Sequence, residues 1–203
     1  GSGALDSDIA MMEDLPDATS AGSIMFSGLT WTAGTAEVTI STSTEYIIEY
    51  QVNSTTGAWT KGTAPKLDVN VTGLKHGDII YARLTDGTSS GSYATLTVVD
   101  TIKPNIELNL EAREQTITAT AVAEDLESGL ATDVKYKFYI KETGADDSTY
   151  VEKQNTTSNI LTVPDLIVGK NYTIKVEVED KAENKGMIEK SILIPDDIAP
   201  VVD

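Results

Sequence analysis

A short motif that occurs twice constrains this chain more than any other feature. It reads DTIKP at residues 100–104 and recurs in degenerate form as DDIAP at residues 196–200. Aligning Pro104 with Pro200 gives a period of 96 residues, close to the roughly 100 residues of one small β-sandwich. The chain stops three residues after the second copy, so we expect it to be an excerpt from a string of repeated domains.

Both repeats carry the apolar alternation of β-strands. Ile48, Tyr50 and Val52 alternate with polar residues in the first repeat, as Phe138 and Ile140 do in the second. A period of two places one set of side chains on a core and the other toward solvent. About seven short strands with frequent turn residues therefore predict an all-β fold of two tandem antiparallel β-sandwiches.

The second repeat resembles a fibronectin type III domain at residues 166–178. Leu166 precedes Tyr172 by six positions, and the YTIKV segment continues as the sixth strand does in that family. The resemblance implies that the Tyr172 hydroxyl bonds to nearby backbone and closes a corner, which is a structural role. In the first repeat the residue six positions after Leu74 is Ile80, so the broader immunoglobulin-like label is used there.

The junctions and two acidic segments extend this resemblance. The proline-led junctions, together with EDLESGL at 124–130 and VEDKAEN at 178–184, are similar to tandem immunoglobulin-like modules of bacterial cell-surface or secreted proteins. Such modules typically serve as spacers and adhesion units. The predicted organisation is a tag remnant with a linker or short helix at 1–22, an immunoglobulin-like sandwich at 23–100, a fibronectin type III-like sandwich at 101–196, and a linker or next repeat at 197–203.

The charge balance limits the classes of partner. The chain has 32 acidic and 15 basic residues, giving a formal net charge of −17. Such a field repels phosphate backbones and anionic headgroups, so nucleic acid and membrane surfaces are not expected partners. It also attracts cations and favours solubility. The sequence has no cysteine, which excludes disulfides and thiol catalysis and fits a cytosolic or bacterial extracellular setting.

Two acidic loops of the second repeat form a candidate calcium site. In an immunoglobulin-like sandwich the loop after the second strand and the loop after the sixth lie at the same end. Calcium takes six to eight oxygen ligands from flexible loops, and the alternative is a pair of solvated loops. The candidate ligands are Glu124, Asp125 and Glu127 in one loop and Glu179 and Asp180 in the other.

The first repeat holds both tryptophans, Trp31 and Trp59. Aromatic faces stack on sugar rings in carbohydrate-binding modules, so both are candidate ligand residues. Core packing is the alternative, and their alternation assigns Tyr46 and Tyr50 to the core. Trp59 follows a glycine-containing turn and is the better candidate for an exposed platform.

Nothing in the sequence indicates catalysis. His76 is the only histidine, and a triad or a histidine metal site needs partners that position the imidazole. No phosphate-binding glycine loop or nucleophile elbow is present, so we do not expect an enzyme.

We therefore expect a non-enzymatic extracellular spacer or adhesion module of a bacterial surface protein. Its predicted partners are other domains of the same long chain and a host or cell-wall glycan or protein, and its only candidate cofactor is calcium. One alternative is an ancillary carbohydrate- or ligand-binding module with its site on the first domain. The other is the ectodomain of a pilin-like assembly subunit, which a helix at 4–15 would favour.

Overall fold

The computed structural model describes residues 20–197, which divide into two compact units after Asp100. The helix considered within residues 4–15 and most of the segment 197–203 lie outside the described residues. Within the described range, the regular structure is β-strand apart from two single 3₁₀ turns, Ala21–Ser23 and Asp147–Thr149. No helix in this range is long and apolar enough to cross a membrane.

The first unit is a sandwich of two antiparallel sheets. One sheet has the order β1-β2-β5 and the other has the order β4-β3-β6-β7. Its strands are β1 (Met25–Thr32), β2 (Thr35–Ser41), β3 (Ile47–Val52), β4 (Thr60–Lys61), β5 (Val69–Leu74), β6 (Ile79–Thr85) and β7 (Ala94–Thr97).

The second unit repeats the same topology. Its sheets have the orders β12-β9-β8 and β11-β10-β13-β14, so the prediction of two antiparallel β-sandwiches is confirmed. Its strands are β8 (Asn105–Arg113), β9 (Thr116–Glu124), β10 (Tyr136–Glu142), β11 (Val151–Thr156), β12 (Ile160–Val163), β13 (Asn171–Glu179) and β14 (Lys185–Leu193).

Each unit has its own apolar core between its sheets. In the first unit, Ile48 and Leu84 are cross-strand partners on β3 and β6 and are fully buried. In the second unit, Phe138 and Val176 are partners on β10 and β13 and are equally buried. In β3, β6, β10 and β13 the alternation read from the sequence therefore predicts which face of the strand lies on the core.

The chain enters and leaves the second unit at opposite poles. At one pole, Asn105 begins β8 opposite Glu124, and the Pro104 carbonyl lies against Gly186 at the start of β14. At the other pole, the backbone N–H of Glu114 donates to the Asp197 carboxylate at 2.9 Å, beyond the end of β14. The first and last strands of this unit therefore run in the same direction.

The first unit has the same polarity. Near the start of β1, the Ala21 N–H donates to the Ser92 hydroxyl at 3.0 Å, and Ser92 precedes β7. At the far end of β7, Val98 accepts from the Gly77 N–H at 2.8 Å. The Asp100 N–H then donates to Nδ1 of His76 at 3.0 Å, so the sole histidine helps to fix the point where the chain leaves this unit.

A tyrosine corner closes the second unit, as the resemblance implies. The Tyr172 hydroxyl accepts a hydrogen bond from the Ile167 N–H at 3.1 Å. The Gly169 N–H bonds to the Ile194 carbonyl just as the Gly77 N–H bonds to Val98 in the first unit. This correspondence sets Ile80 against Tyr172, so the first unit fills the corner position with an apolar side chain.

Candidate functional site

The two acidic loops of the second unit lie side by side. Leu130 forms a β-bridge with Asp180. The Lys181 N–H donates to the Gly129 carbonyl at 2.9 Å, and the Ala131 N–H donates to the Glu179 carbonyl at 3.0 Å. The fold thus brings together the loop that follows β9 and the loop that follows β13.

Asp125 and Glu127 are the two candidate calcium ligands whose carboxylates the fold is seen to bring together. Carboxylate oxygens of the two residues lie within 4.8 Å of each other, and both side chains are half-buried. The Gly129 N–H donates to Oδ2 of Asp125 at 2.7 Å, which orders the loop around this carboxylate. Two carboxylates in this arrangement present oxygen ligands of the kind that calcium takes.

Asp180 has a structural role in the neighbouring loop. It is 1% exposed, and its Oδ1 accepts from the N–H groups of Ala182 and Asn184, each at 2.9 Å. Its Oδ2 accepts from Nδ2 of Asn184 at 2.8 Å. These bonds close the turn between β13 and β14, because a carboxylate satisfies backbone donors that would otherwise be left in the interior.

The other two candidates lie at strand ends. Glu124 is exposed and pairs with Asn105 at the end of the β8–β9 ladder. Glu179 lies 3.9 Å from Nζ of Lys185 in a loose surface ion pair. The geometry therefore centres the calcium hypothesis on Asp125 and Glu127, and calcium binding remains a prediction.

A second candidate region lies on the outer face of the four-stranded sheet of the first unit. The Arg83 guanidinium lies over the Trp59 ring, 3.8 Å from its centroid. Tyr93 is tilted against Trp59 at a centroid distance of 6.4 Å, and Tyr81 meets Tyr93 edge-on at 5.4 Å. We call Trp59, Tyr81 and Tyr93 the aromatic strip.

A buried carboxylate holds Arg83 in this position. Oε1 of Glu49 lies 2.6 Å from Nε of Arg83 and also accepts from the Ser90 hydroxyl at 2.8 Å. Glu49 is only 3% exposed, so its charge needs both partners. The pair fixes the guanidinium over one face of Trp59 and leaves Tyr93, which is 46% exposed, as the most accessible ring of the strip.

Trp31 does not join this strip. It lies on β1, in the opposite sheet, and packs against the core together with Tyr46 and Tyr50. The structure thus separates the two tryptophans that the sequence grouped as ligand candidates. Tyr81 and Arg83 were not among the ligand residues predicted from the sequence. Their alternation with the core residues Ile80 and Ala82 could have assigned them to the outer face of the sheet.

The second unit carries a related cluster at the corresponding place. Lys175 pairs with Tyr139 across β10 and β13, as Arg83 pairs with Glu49 across β3 and β6. Its ammonium lies 4.5 Å from the Tyr139 ring and 4.4 Å from the Tyr150 ring. Tyr150 donates to Glu189 at 2.9 Å. Burial raises the pKa of Tyr150, and the bond to that carboxylate raises it further.

Comparisons with known proteins assign this chain to no family. No protein-family model and no curated protein matches this chain. Among solved structures it is similar to a chain of a cytokine receptor complex, with 13% sequence identity and a TM-score of 0.43, covering 82% of this chain and 96% of that chain. The fold assignment accordingly rests on the strand order and the two separate cores.

Proposed function

We propose that this chain is a non-enzymatic spacer or adhesion segment of an extracellular bacterial protein, projecting other domains of the same polypeptide. The observation that carries the proposal is the polarity of the two units. Each unit receives the chain at one pole and releases it at the other, so each added unit extends the polypeptide. The Pro104 junction suits this role because proline fixes φ and restricts the preceding residue.

The terminal strands of the second unit are suited to bear load. The β8–β9 ladder and the β13–β14 ladder each contain nine residue pairs. A force between the two poles runs along these strands, so many ladder hydrogen bonds resist it together. Ile194, just beyond β14, adds a bond in each direction, because its N–H donates to Lys170 and its carbonyl accepts from Gly169, both at 2.9 Å.

Single-molecule pulling tests this role. The sequence contains no cysteine, so engineered cysteines provide unambiguous handles. With handles at 20 and 197, we expect two unfolding steps, each releasing roughly 30 nm of chain at about 3.5 Å per extended residue.

Two further pairs of handles supply the control for the direction of the force. Handles at 103 and 197 load the second unit along its strands. Handles at 114 and 197 join two neighbouring points of one pole and pull across the strands, so the β13–β14 ladder opens bond by bond from its end. We expect the second unit to unfold at a clearly lower force with handles at 114 and 197 than with handles at 103 and 197. Equal forces would contradict the load-bearing argument.

The aromatic strip favours a second candidate, a carbohydrate- or ligand-binding module with its site on the first unit. Partly exposed rings on the outer face of a sheet offer apolar area at low cost in side-chain entropy. The variant Trp31→Phe leaves Trp59 as the only tryptophan, so its fluorescence reports on the strip alone. Titration with soluble cell-wall and plant oligosaccharides should change this signal, and Tyr93→Ala should abolish the change. An unchanged signal across the panel would remove this candidate.

The pilin-like alternative depends on residues outside the described range and gains no support from the two units. Placement on the bacterial surface is likewise part of the proposal. Labelling intact producing cells with an antibody against the second unit tests it, with the same cells after lysis as the control.

A further inference from the structure

The second unit has a cleft on its open side, between the edge strands β11 and β12. The cleft has a volume of about 500 Å³, within the range of sites that bind small molecules or side chains. Its floor is apolar, and its two lips are formed by β11 on one side and by the segment that follows β12 on the other. The floor consists of Ile140, Val163, Leu166 and Tyr172, and the lips carry Val151, Lys153, Pro164 and Asp165.

A bulge in the backbone and one side-chain hydrogen bond shape the cleft. The β10–β11 register shifts between Phe138 and Tyr139, which leaves Lys153 as an extra residue in a β-bulge. Such a bulge bends an edge strand and redirects its side chains. Immediately beyond the bulge, Nε2 of Gln154 donates to the Ile160 carbonyl at 2.8 Å and ties the two edge strands together. The sandwich is therefore closed at Gln154 and open at Val151.

A short turn bounds the other end of the cleft. The Asp146 side chain accepts from the Ser148 N–H at 2.9 Å and caps the 3₁₀ turn. Nζ of Lys141 donates to the Ala145 carbonyl at 2.7 Å and to Asp147 at 2.9 Å. These bonds fix Ala145 at the mouth of the cleft.

The floor of the cleft is part of the core of the unit. Ile140, Val163 and Tyr172 keep 7%, 5% and 8% of their surface exposed, whereas Phe138 and Ile174 nearby are fully buried. Val151, at the lip, is 55% exposed. An apolar group placed in the cleft would cover the exposed parts of Ile140, Val163, Tyr172 and Val151. This burial is favourable in proportion to the apolar area removed from water.

The lips carry one positive and one negative side chain, Lys153 and Asp165, that form no ion pair within the described part of the unit. Lys141 is paired with Asp147 at 2.9 Å, and Glu142 is paired with Lys170 at 2.7 Å. Between residues 20 and 197, no opposite charge lies within 4.0 Å of the charged atoms of Lys153 or Asp165. In addition, β11 is the last strand of its sheet, so one edge of its backbone has no neighbouring strand.

We infer that this cleft binds a short extended peptide of a partner protein, with one apolar side chain in the cleft and the peptide backbone along the free edge of β11. A peptide meets all three features at once, because it offers an apolar side chain, backbone donors and acceptors, and polar or charged groups of both signs on its flanks. Adding a strand to an exposed sheet edge, with a pocket for selected side chains, is an established mode of peptide recognition.

The test uses the full chain and three fluorescein-labelled seven-residue peptides. Each peptide alternates threonine with apolar residues, and the central residue is valine, leucine or phenylalanine. We expect at least one to bind with a Kd below about 1 mM in fluorescence anisotropy. Ala145→Trp fills the mouth of the cleft and should weaken binding at least about tenfold, the effect of losing a buried anchor. Amide NMR shifts should concentrate at residues 140, 151–153, 163, 165 and 166.

A charge-reversal pair keeps the test independent of folding. Lys153→Glu alters only the lip and should weaken binding several-fold for a version of the tightest of the three peptides in which one terminal threonine is replaced by glutamate. Lys190→Glu makes the same charge change on β14, at the other edge of the same sheet, and should leave the affinity unchanged. The proposal is overturned if none of the three peptides binds, if both charge variants weaken binding equally, or if octanoate binds in the cleft and the peptides do not.

Discussion

Gly186 is the residue at which one methyl group should have the largest effect on the second unit. It lies on β14 opposite Val178, and the Pro104 carbonyl crosses directly above it. A Cβ atom built on Gly186 would lie 2.4 Å from the Pro104 oxygen, 3.2 Å from its carbonyl carbon and 3.3 Å from its Cβ. The first distance is far below van der Waals contact, and the atom in the way is backbone, so Gly186→Ala must displace either the start of β8 or the ladder of β14.

The expected magnitude follows from two opposing terms. Overpacking of this kind typically costs about 1–3 kcal/mol, and more when backbone must move. Replacing glycine by alanine in a compatible strand conformation returns about 0.5–1 kcal/mol, because the unfolded chain has less freedom to lose. We therefore expect a net loss of about 2 kcal/mol, which corresponds to a fall in Tm of roughly 8–16 °C for a unit of this size.

The position of the tryptophans supplies an internal control. Both lie in the first unit, so tryptophan fluorescence follows that unit, while calorimetry and far-UV circular dichroism of the full chain follow both. Gly186→Ala should lower only the transition that tryptophan does not report. Gly22→Ala is the matched control, because its added Cβ meets nothing closer than 3.7 Å. A fall in Tm below about 3 °C would refute the reasoning, since it would mean that the Pro104 carbonyl is free to move.

Four further predictions concern single side chains. Tyr172→Phe removes the acceptor of the Ile167 N–H and should cost the second unit about 1 kcal/mol in denaturant unfolding, with Tyr136→Phe as a control that loses no observed hydrogen bond of its hydroxyl. Arg83→Met leaves the buried Glu49 carboxylate without its cation and should destabilise the first unit by about 3 kcal/mol. Glu49→Gln added to that variant should recover part of the loss in tryptophan-monitored unfolding. Because the folded-state pKa of Tyr150 is raised, its stabilisation is present below its ordinary pKa of about 10 and is lost as the pH rises toward the folded-state value. Tyr150→Phe should therefore flatten the alkaline decline in the stability of the second unit. If Asp125 and Glu127 bind calcium, calcium at about 100 times its Kd should stabilise the second unit by about 2.7 kcal/mol. Asp125→Asn should remove that effect, and identical melting with calcium and with chelator would contradict the hypothesis.

The sequence was sufficient to predict the architecture because burial leaves a period-two record. Phe138 and Ile140 show that record clearly, and each is buried between the sheets. Tyr172 was also predictable, because its spacing from Leu166 reflects a local backbone geometry. Strand β11 was not predicted. Its VEKQNT sequence is exposed at nearly every position, and an edge strand with no buried face carries no alternation to detect.

The candidate sites were harder to predict because they depend on pairing across strands. Arg83 and Trp59 are 24 positions apart in the sequence, and their contact appears only once β4, β3 and β6 are aligned. Asp180 shows the same limit in another form. Its acidic neighbours suggested a ligand, while the bonds that close its turn involve backbone N–H groups that every residue except proline possesses.

The opposite placement of the two chain ends on each unit has a consequence for how such a polypeptide changes over generations. A coding segment that begins and ends at equivalent junctions can be copied in frame. The new unit then lengthens the polypeptide without changing the strand order of the existing units. Loss of a segment shortens it just as cleanly. The length of a chain built this way would vary in whole steps, and the outer faces of its units could differ, as the arginine on a tryptophan in one unit differs from the lysine between two tyrosines in the other.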